Sequence, residues 1–262
     1  MEKLELKNRK GQKIVGVLEK PDGVVKGTCV IVHGYSGYKE QVHMQYIKNA
    51  FLDNGFVTFN FDTTNTFGES DGKFEDARLG LHYEDLEDVT KWVQQQDWFQ
   101  KPLALVGHSM GGYAVARYAE DYPKEVDLCA PIAPVVSGKL SFEGKDQEKL
   151  KKWKETGWSI RESVDDRTGE IIVKRSPWGV MEERLDHDLL PNANKLTMPM
   201  FLYIGTEDTS ILPEHLEILY KAIPEGNKKM VLAEGAPHTY KTKEDNEHLY
   251  NHLSEWIKSV LA

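Results

Sequence analysis

The chain is 262 residues long and carries a formal net charge of −9, a length that fits one large α/β domain. No Lys/Arg-rich run interrupts the acidic balance, so we do not expect a nucleic-acid partner. The charged N-terminal residues lack the apolar centre of a signal peptide, and no apolar run is long enough to span a membrane. We therefore expect no membrane span and a cytoplasmic location.

The first elements in chain order indicate an antiparallel hairpin at a sheet edge. Leu4 and Leu6 alternate with charged residues, a turn follows at 8–11, and residues 14–18 form a second extended run. Cys29 and Cys129 lie in later apolar runs, which predicts buried free thiols and no disulfide framework. Short apolar runs rich in β-branched residues are typical of buried parallel strands. They cover 28–32, 57–61, 103–106, 128–132, 200–204 and 229–232.

Helical patterns separate these strands. In one of them Tyr83, Leu86, Val89 and Val93 recur at a spacing of three or four residues, as a single buried helix face requires. Strand–helix alternation after an antiparallel start predicts a mostly parallel sheet with helices on both faces. In such sheets ligands bind beyond the carboxyl ends of the strands. The predicted helices cover 41–54, 77–96, 110–122, 213–223 and 243–260.

One segment, residues 137–195, breaks this alternation. It contains a Lys/Glu-rich stretch, a predicted hairpin turn at 165–170 and three of the six tryptophans, Trp153, Trp158 and Trp178. A long insertion of this kind is usually functional or disordered, and the hairpin and aromatic residues favour order. We predict an inserted cap over the active site, with the tryptophans lining the substrate pocket. The alternative is that they only anchor the insertion to the sheet.

The most informative motif is Gly107-His108-Ser109-Met110-Gly111, directly after a predicted strand and before a predicted helix. A serine between two glycines at such a tight turn is pushed out at the top of the sheet, where it can act as a nucleophile. The motif is short, but its strand-to-helix setting favours a nucleophile elbow over an ordinary glycine-rich turn. Ser109 is the predicted nucleophile.

A serine hydroxyl needs a base to take its proton and an acid to orient that base. In hydrolases that present their serine on such an elbow, the acid and then the histidine follow the serine in the chain. Asp208 follows the predicted strand 200–204, and His238 lies in the loop after the last strand. We predict Asp208 as the acid, with Glu207 as the local alternative, and His238 as the base.

The other histidines fit this role less well. His108 lies inside the elbow and His33 in an earlier turn, whereas His187 and His215 do not follow a strand end. His248 and His252 are four residues apart on a predicted helix, but no acidic ligand pattern accompanies them. They are predicted to form a solvated helix face, and no metal site is expected.

Acyl transfer also requires hydrogen-bond donors for the oxyanion. One donor is predicted to be the backbone N–H of Met110, at the start of the elbow helix. The other is the N–H of Tyr35, because Gly34 allows a sharp turn directly after the first parallel strand. The alternative for this loop is a plain strand-ending turn.

With these residues the chain resembles the α/β-hydrolase family and, more narrowly, the bacterial feruloyl and cinnamoyl esterases. The narrower match rests on His33-Gly34-Tyr35, the loop 67–75 and the hairpin-containing insertion. The resemblance implies an α/β-hydrolase fold with nucleophile, acid and base at Ser109, Asp208 and His238. It also implies oxyanion donors at Tyr35 and Met110, and a small inserted subdomain that shapes the acyl or phenolic pocket.

Two segments depart from the family pattern. Residues 62–66 replace a Gly/His-containing turn, which bears on substrate preference. The run from Asp208 to Pro213 is longer than usual, which bears on the assignment of the acid. We expect a hydrolase core at 1–136 and 196–262, with the cap at 137–195.

The sequence therefore predicts a serine esterase that cleaves carboxylic esters through an acyl-enzyme and without a cofactor, with aryl and hydroxycinnamoyl esters as candidate substrates. The alternatives on the same residues are a monoacylglycerol lipase, a thioesterase, a peptidase and a C–C bond hydrolase. The alternative that is not an enzyme is a ligand-binding protein that keeps the hydrolase fold without catalysis. The expected partner is a small-molecule ester, and homodimer formation is left open.

Overall fold

The computed structural model describes residues 1–165 and 167–262, so Asp166 in the predicted hairpin turn lies outside the described residues. One eight-stranded sheet forms the centre of the molecule, in the order β1-β2-β4-β3-β5-β6-β9-β10. A separate two-stranded sheet consists of β7 and β8. The strands are β1 (Glu2–Lys7), β2 (Lys13–Glu19), β3 (Gly27–Val32), β4 (Phe56–Asp62), β5 (Leu103–His108), β6 (Leu128–Ile132), β7 (Trp158–Val164), β8 (Ile171–Pro177), β9 (Met200–Gly205) and β10 (Lys228–Ala233).

The predicted N-terminal hairpin is confirmed. β1 and β2 pair antiparallel, with Leu6 opposite Ile14, and β2 pairs antiparallel with β4. From β4 onward every neighbouring pair in the large sheet is parallel. The carboxyl ends of β3, β5 and β9 therefore point to the same edge of the sheet, where the candidate site residues follow them.

Helices cover both faces of the large sheet, as the alternation predicts. Val30 and Val32 face a core formed with α2, α3 and α7, whereas Cys29 and Ile31 face a core formed with α1 and α8. This two-residue alternation is the side-chain period of a strand. Both cysteines are free and buried. The helices are α1 (Val42–Asp53), α2 (Leu79–Val93), α3 (Met110–Asp121), α4 (Gly138–Glu143), α5 (Gln147–Thr156), α6 (Gly179–Arg184), α7 (Pro213–Ala222) and α8 (Lys243–Leu261).

Two predicted elements differ in detail. The helix predicted at 77–96 is shorter, because Arg78 is extended and only Leu79–Val93 is α-helical. The strand predicted at 229–232 as buried lies at the edge of the sheet, and its Leu232 side chain is 41% exposed. An edge strand has a neighbour on one side only, so its side chains are covered less completely.

The segment between β6 and β9 contains more regular structure than the sequence predicts. Besides the hairpin of β7 and β8 it includes α4, α5, α6 and a 3₁₀ helix over Leu190–Lys195. Its two ends meet, because Gly138 N–H donates to the carbonyl of His187 (2.8 Å) and Leu189 N–H donates to that of Val136 (3.0 Å). The contact between the two ends of the segment agrees with a division of the chain into a core and a cap at 137–195. This division remains a prediction. Among the described residues, no helix is both long and apolar enough to cross a bilayer.

Candidate active site

Ser109 lies between β5 and α3 with φ 57° and ψ −114°, a left-handed backbone conformation that is rare for a serine. Both glycines of the motif are required by close backbone contact. A Cβ on Gly107 would lie 2.3 Å from the carbonyl oxygen of Gly111, and one on Gly111 would lie 2.4 Å from that of Val32. The sequence therefore folds into a tight elbow here, and α3 begins directly beneath the turn that follows β3.

That turn carries Tyr35, one of the two predicted oxyanion donors, whereas Met110 directly follows Ser109. Gly37 N–H donates to the carbonyl of Gly34 at 3.0 Å, which closes a β-turn with Tyr35 at its second position. A Cβ on Gly34 would lie 2.9 Å from Cβ of Ser109, so the turn packs against the serine. Among the described residues, the amides of Tyr35 and Met110 donate to no protein acceptor. Both remain available for an oxyanion.

The segment 62–66, which departs from the family pattern, supports this turn. Thr63 N–H donates to Nε2 of His33 at 3.1 Å, and this leaves Nδ1 of His33 to donate to the carbonyl of Gly34 at 2.8 Å. Burial lowers the pKa of His33, so the ring stays neutral and keeps this tautomer. The imidazole thus holds the carbonyl of the residue before Tyr35.

Asp208 is 2% exposed and both of its carboxylate oxygens are occupied. Oδ1 accepts hydrogen bonds from the amides of Ser210 (2.8 Å) and Ile211 (2.9 Å), and Oδ2 lies 2.6 Å from Nδ1 of His238. The long run from Asp208 to Pro213 supplies those two amides. Glu207, the local alternative, points to solvent.

His238 bridges the acid and the serine. Its Nδ1 donates to Asp208, so Nε2 is the acceptor, and Nε2 lies 3.0 Å from Oγ of Ser109. The two loops are in direct contact, because Glu207 N–H donates to the carbonyl of Ala236 at 3.1 Å. A chain of two hydrogen bonds therefore runs from a buried carboxylate through an imidazole to the elbow serine.

Sequence reasoning placed His108 inside the elbow but gave it no role. The structure places its Nε2 2.8 Å from the backbone carbonyl oxygen of His238, to which it donates. The rings of His43, His108 and His238 follow one another, with centroids 4.6 Å and 4.7 Å apart. The only sequence signal for this contact is a histidine directly before the serine, because its partner is 130 residues away.

His187 connects the elbow helix to the segment between β6 and β9. Its Nδ1 lies 3.0 Å from the hydroxyl of Tyr113 on α3, and its Nε2 lies 2.6 Å from Oε1 of Glu183. Glu183 also accepts the amides of Leu79 (3.2 Å) and Gly80 (2.8 Å) at the start of α2. This network joins three helices around the predicted nucleophile.

The remaining histidines lie apart from the serine. His215 is buried on α7, and Nδ1 of His248 lies 2.8 Å from the hydroxyl of Tyr203. The rings of His248 and His252 are 4.3 Å apart, centroid to centroid. Within 1–165 and 167–262, no group of three or more His, Cys, Asp or Glu side chains is arranged to hold a metal ion.

Residues adjacent in the chain to those of the site line two cavities, while Ser109 itself is only 8% exposed. One cavity, of about 460 Å³, is lined by Ser36 and Thr239, the residues after Tyr35 and His238. The other, of about 430 Å³, is lined by Thr209, the residue after Asp208, and by Lys145 and Trp153.

The three tryptophans predicted to line the substrate pocket occupy different positions. Trp153 lines the second cavity and donates to the carbonyl of Ser176 at 2.9 Å. Trp178 packs edge-to-face against Trp153, with centroids 5.8 Å apart. Trp158 is 39% exposed on β7 beneath the guanidinium of Arg175. A pocket role for them remains a prediction.

Comparison with known proteins identifies the family. Residues 23–168, more than half of the chain, match the Hydrolase_4 family, described as serine aminopeptidase, S33. The chain belongs to this family. It is a hydrolase of the α/β-hydrolase type, and the predicted fold is confirmed.

Similar proteins of this type include esterases and a thioesterase. The Escherichia coli uncharacterized 31.7 kDa protein in the traX-finO intergenic region is 25% identical over 238 residues, 80% of this chain and 82% of that protein. The mitochondrial palmitoyl-protein thioesterase ABHD10 of Bos taurus is 23% identical over 88% of this chain and 73% of that protein. The structure of Est1E from Butyrivibrio proteoclasticus with bound ferulic acid superimposes with a TM-score of 0.79 at 21% identity, covering 98% of this chain and 99% of that one.

Proposed function

We propose that this member of the Hydrolase_4 family is a serine carboxylic-ester hydrolase with Ser109, His238 and Asp208 as its catalytic triad. The observation that carries the proposal is the hydrogen-bonded chain of these three residues, with distances of 3.0 Å and 2.6 Å. It lies beside two backbone amides without a protein acceptor, those of Tyr35 and Met110, among the described residues. A base, its orienting acid and an oxyanion site are what acyl transfer requires.

In the proposed reaction His238 Nε2 takes the hydroxyl proton as Ser109 Oγ attacks the ester carbonyl carbon. The carbonyl oxygen becomes an oxyanion that accepts hydrogen bonds from the amides of Tyr35 and Met110. Collapse of this intermediate breaks the ester C–O bond, and His238 returns the proton to the departing alcohol. A water molecule that His238 deprotonates then attacks the acyl-enzyme and releases the acid. Each oxyanion donor is worth roughly 10²–10³ in turnover.

The arrangement of charges supports an ester or thioester substrate over an aminopeptidase substrate. A substrate with a free α-ammonium group needs a carboxylate to receive it. The carboxylate of Asp208 is fully engaged, and the charged residues that line the second cavity include the cations Lys145 and Arg161. Asp146, also on that cavity, caps the start of α5 through the amides of Glu148 and Lys149.

The test is hydrolysis of p-nitrophenyl acyl esters together with labelling by a fluorophosphonate probe. Ser109→Ala should lower kcat on the order of 10⁶-fold, because triad members act as a unit, and should abolish labelling. Ser159→Ala, which removes another hydroxyl from the second cavity, is the matched control and should keep both. Labelling of Ser109→Ala at the wild-type rate would contradict the proposal, as would a wild-type protein that is never labelled.

Acyl thioesters are the second candidate substrates, because one relative is described as a palmitoyl-protein thioesterase. The same nucleophile and oxyanion site serve both classes, and the leaving group alone differs. A panel that pairs each acyl chain with an alcohol, a thiol and an amine as leaving group separates ester, thioester and peptide hydrolysis.

A further inference from the structure

Arg184, the last residue of α6, is a buried cation. It is 8% exposed, and its Nε is buried without a hydrogen-bond partner in the part of the chain that the structure describes. Its Nη2 donates to the thioether sulfur of Met110, at 3.7 Å. Within the described residues it forms no ion pair. A buried guanidinium in this state lowers stability, so its retention calls for an explanation.

Neighbouring carboxylates lie too far from Arg184 to pair with it within the described residues, although the charge of Glu183 favours the cation. Glu183 precedes Arg184, but its oxygens accept hydrogen bonds from the amides of Leu79 and Gly80 and from His187. Asp208 is held by His238 and by two amides of its own loop. The guanidinium therefore has at least the N–H of its Nε free to donate to a ligand.

The guanidinium also lies next to the proposed reaction centre. It contacts the side chain of Met110, whose amide is one proposed oxyanion donor. Burial raises the pKa of Tyr35, the other donor residue, and the nearby charge of Arg184 opposes that rise. The Tyr35 hydroxyl donates to Oγ of Ser176 at 2.8 Å. The guanidinium therefore lies close to both residues that carry the proposed oxyanion donors.

Two more cations lie near Arg184. Lys145, which is half-buried, and Arg161, which is exposed, line the 430 Å³ cavity that Thr209 also lines. Burial lowers the pKa of Lys145 to about 8, with Arg184 and Arg161 contributing and Asp208 opposing. Three basic side chains and one carboxylate line this cavity, so it favours an anion.

We propose that Arg184 binds a carboxylate of the substrate, so that the acyl compound cleaved at Ser109 carries an anionic group in its acyl or its alcohol portion. The planar guanidinium can donate two parallel hydrogen bonds to a carboxylate. In a site shielded from water, such a charge-assisted contact discriminates strongly against a neutral analogue. This inference rests on the proposed function for the position of the scissile bond.

The test compares matched substrates that differ only in this charge. On the alcohol side these are 4-carboxyphenyl butyrate and 4-carbamoylphenyl butyrate. On the acyl side they are mono-p-nitrophenyl adipate and its methyl ester. Wild-type protein should prefer the carboxylate substrate in one of the two pairs. That pair shows whether the anionic group belongs to the alcohol or to the acyl portion. In Arg184→Met the ratio of kcat/KM values for that pair should fall about 10- to 100-fold.

Arg175→Met is the control, because it removes a guanidinium from the exposed part of β8. It should leave the ratio unchanged. A wild-type enzyme without preference in either pair overturns the inference, as does an Arg184→Met ratio equal to that of wild type. Should Arg184→Met fail to fold, Arg184→Lys replaces it: this variant keeps the charge but loses the planar fork, and its ratio should fall below that of wild type.

A binding measurement separates this inference from the proposed function. Calorimetry on Ser109→Ala protein would compare non-hydrolysable amide analogues of both substrate pairs. We expect the carboxylate analogue of one pair to bind at least tenfold more tightly, and the added Arg184→Met change to remove that difference. Selective binding by Ser109→Ala protein, combined with a wild-type protein that hydrolyses none of the substrates, would contradict the esterase proposal alone. Hydrolysis with equal affinities would overturn the anion site alone.

Discussion

The ring of His108 donates from Nε2 to the backbone carbonyl oxygen of His238, at 2.8 Å. The residue directly before the proposed nucleophile thus holds the loop that carries the proposed base. Burial lowers the pKa of His108 well below its ordinary value, with the nearby His43 and His238 contributing. The ring stays neutral, and its single N–H is committed to this contact.

Replacing His108 should disturb the reaction without touching the substrate. His108→Phe keeps a ring but leaves the His238 carbonyl without its donor, at a cost of about 1–3 kcal/mol. We expect kcat to fall roughly 10- to 100-fold with little change in KM. His108→Gln, which restores an N–H donor, should recover part of the loss. Equal activity of the Phe and Gln variants would show that the hydrogen bond is unimportant.

Asp208 and Glu207 offer a matched pair of acidic residues. In Asp208→Asn the amide favours the wrong tautomer of His238, and we expect kcat to fall on the order of 10⁴-fold with the fold intact. Glu207 is exposed, so Glu207→Gln should retain nearly full activity. Ester hydrolysis and circular dichroism of both variants provide the measurement. A larger loss in Glu207→Gln would reassign the acid.

Gly205 permits the contact between the acid loop and the base loop. A Cβ at this position would lie 1.9 Å from the carbonyl oxygen of Ala236, two residues before His238. Gly205→Ala should therefore displace the base loop, lower the free energy of unfolding by about 1–3 kcal/mol and reduce kcat. The nearest contact of a Cβ on Gly179 is 3.6 Å, so Gly179→Ala is a control that should unfold at the wild-type denaturant concentration.

Glu120 makes stability depend on pH. It is 1% exposed, neither carboxyl oxygen has a hydrogen-bond partner, and Nη1 of Arg117 is 3.7 Å away. Burial raises its pKa from 4.5 to about 8, with Arg117 opposing. Between these values the unfolded chain is ionised and the folded protein is protonated, so this residue lowers the free energy of unfolding as pH rises, by about 1.4 kcal/mol per pH unit.

Glu120→Gln should therefore stabilise the protein increasingly from pH 4.5 to 8. Urea unfolding at several pH values measures the difference from wild type. Glu217→Gln, which removes a carboxylate that pairs with Lys221 on the surface of α7, controls for the loss of one acidic group. A Glu120→Gln difference that does not grow with pH would contradict this explanation.

The sequence predicted those features that depend on neighbours in the chain. The elbow at Ser109 follows from two glycines and a strand-to-helix boundary, and the choice of Asp208 over Glu207 agrees with their burial. The eight-stranded sheet followed from hydrophobic runs and their alternation with helices. What these features share is a local physical cause, either backbone crowding or side-chain periodicity.

Features that depend on distant contacts could not be predicted in this way. Arg184 stands in the charged run Glu182-Glu183-Arg184, and nothing in that run indicates burial. It is buried because Gly138 allows the chain to pack against its backbone, where a Cβ would lie 1.9 Å from the Arg184 carbonyl oxygen. The helices α4 and α6 have six residues each, and α5 is rich in Lys and Glu, so few apolar residues mark these helices in the sequence.

The network of Tyr113, His187 and Glu183 bears on how hydrolases of this kind can acquire new substrates. Tyr113 lies one turn after Ser109 on α3, and Glu183 accepts a hydrogen bond from the first turn of α2. The positions of α2 and α3 are therefore both fixed relative to α6. Replacing 137–195 by the insertion of a relative would remove these anchors together. Selectivity on this scaffold should therefore diverge through successive point substitutions more readily than through exchange of the insertion as a portable module.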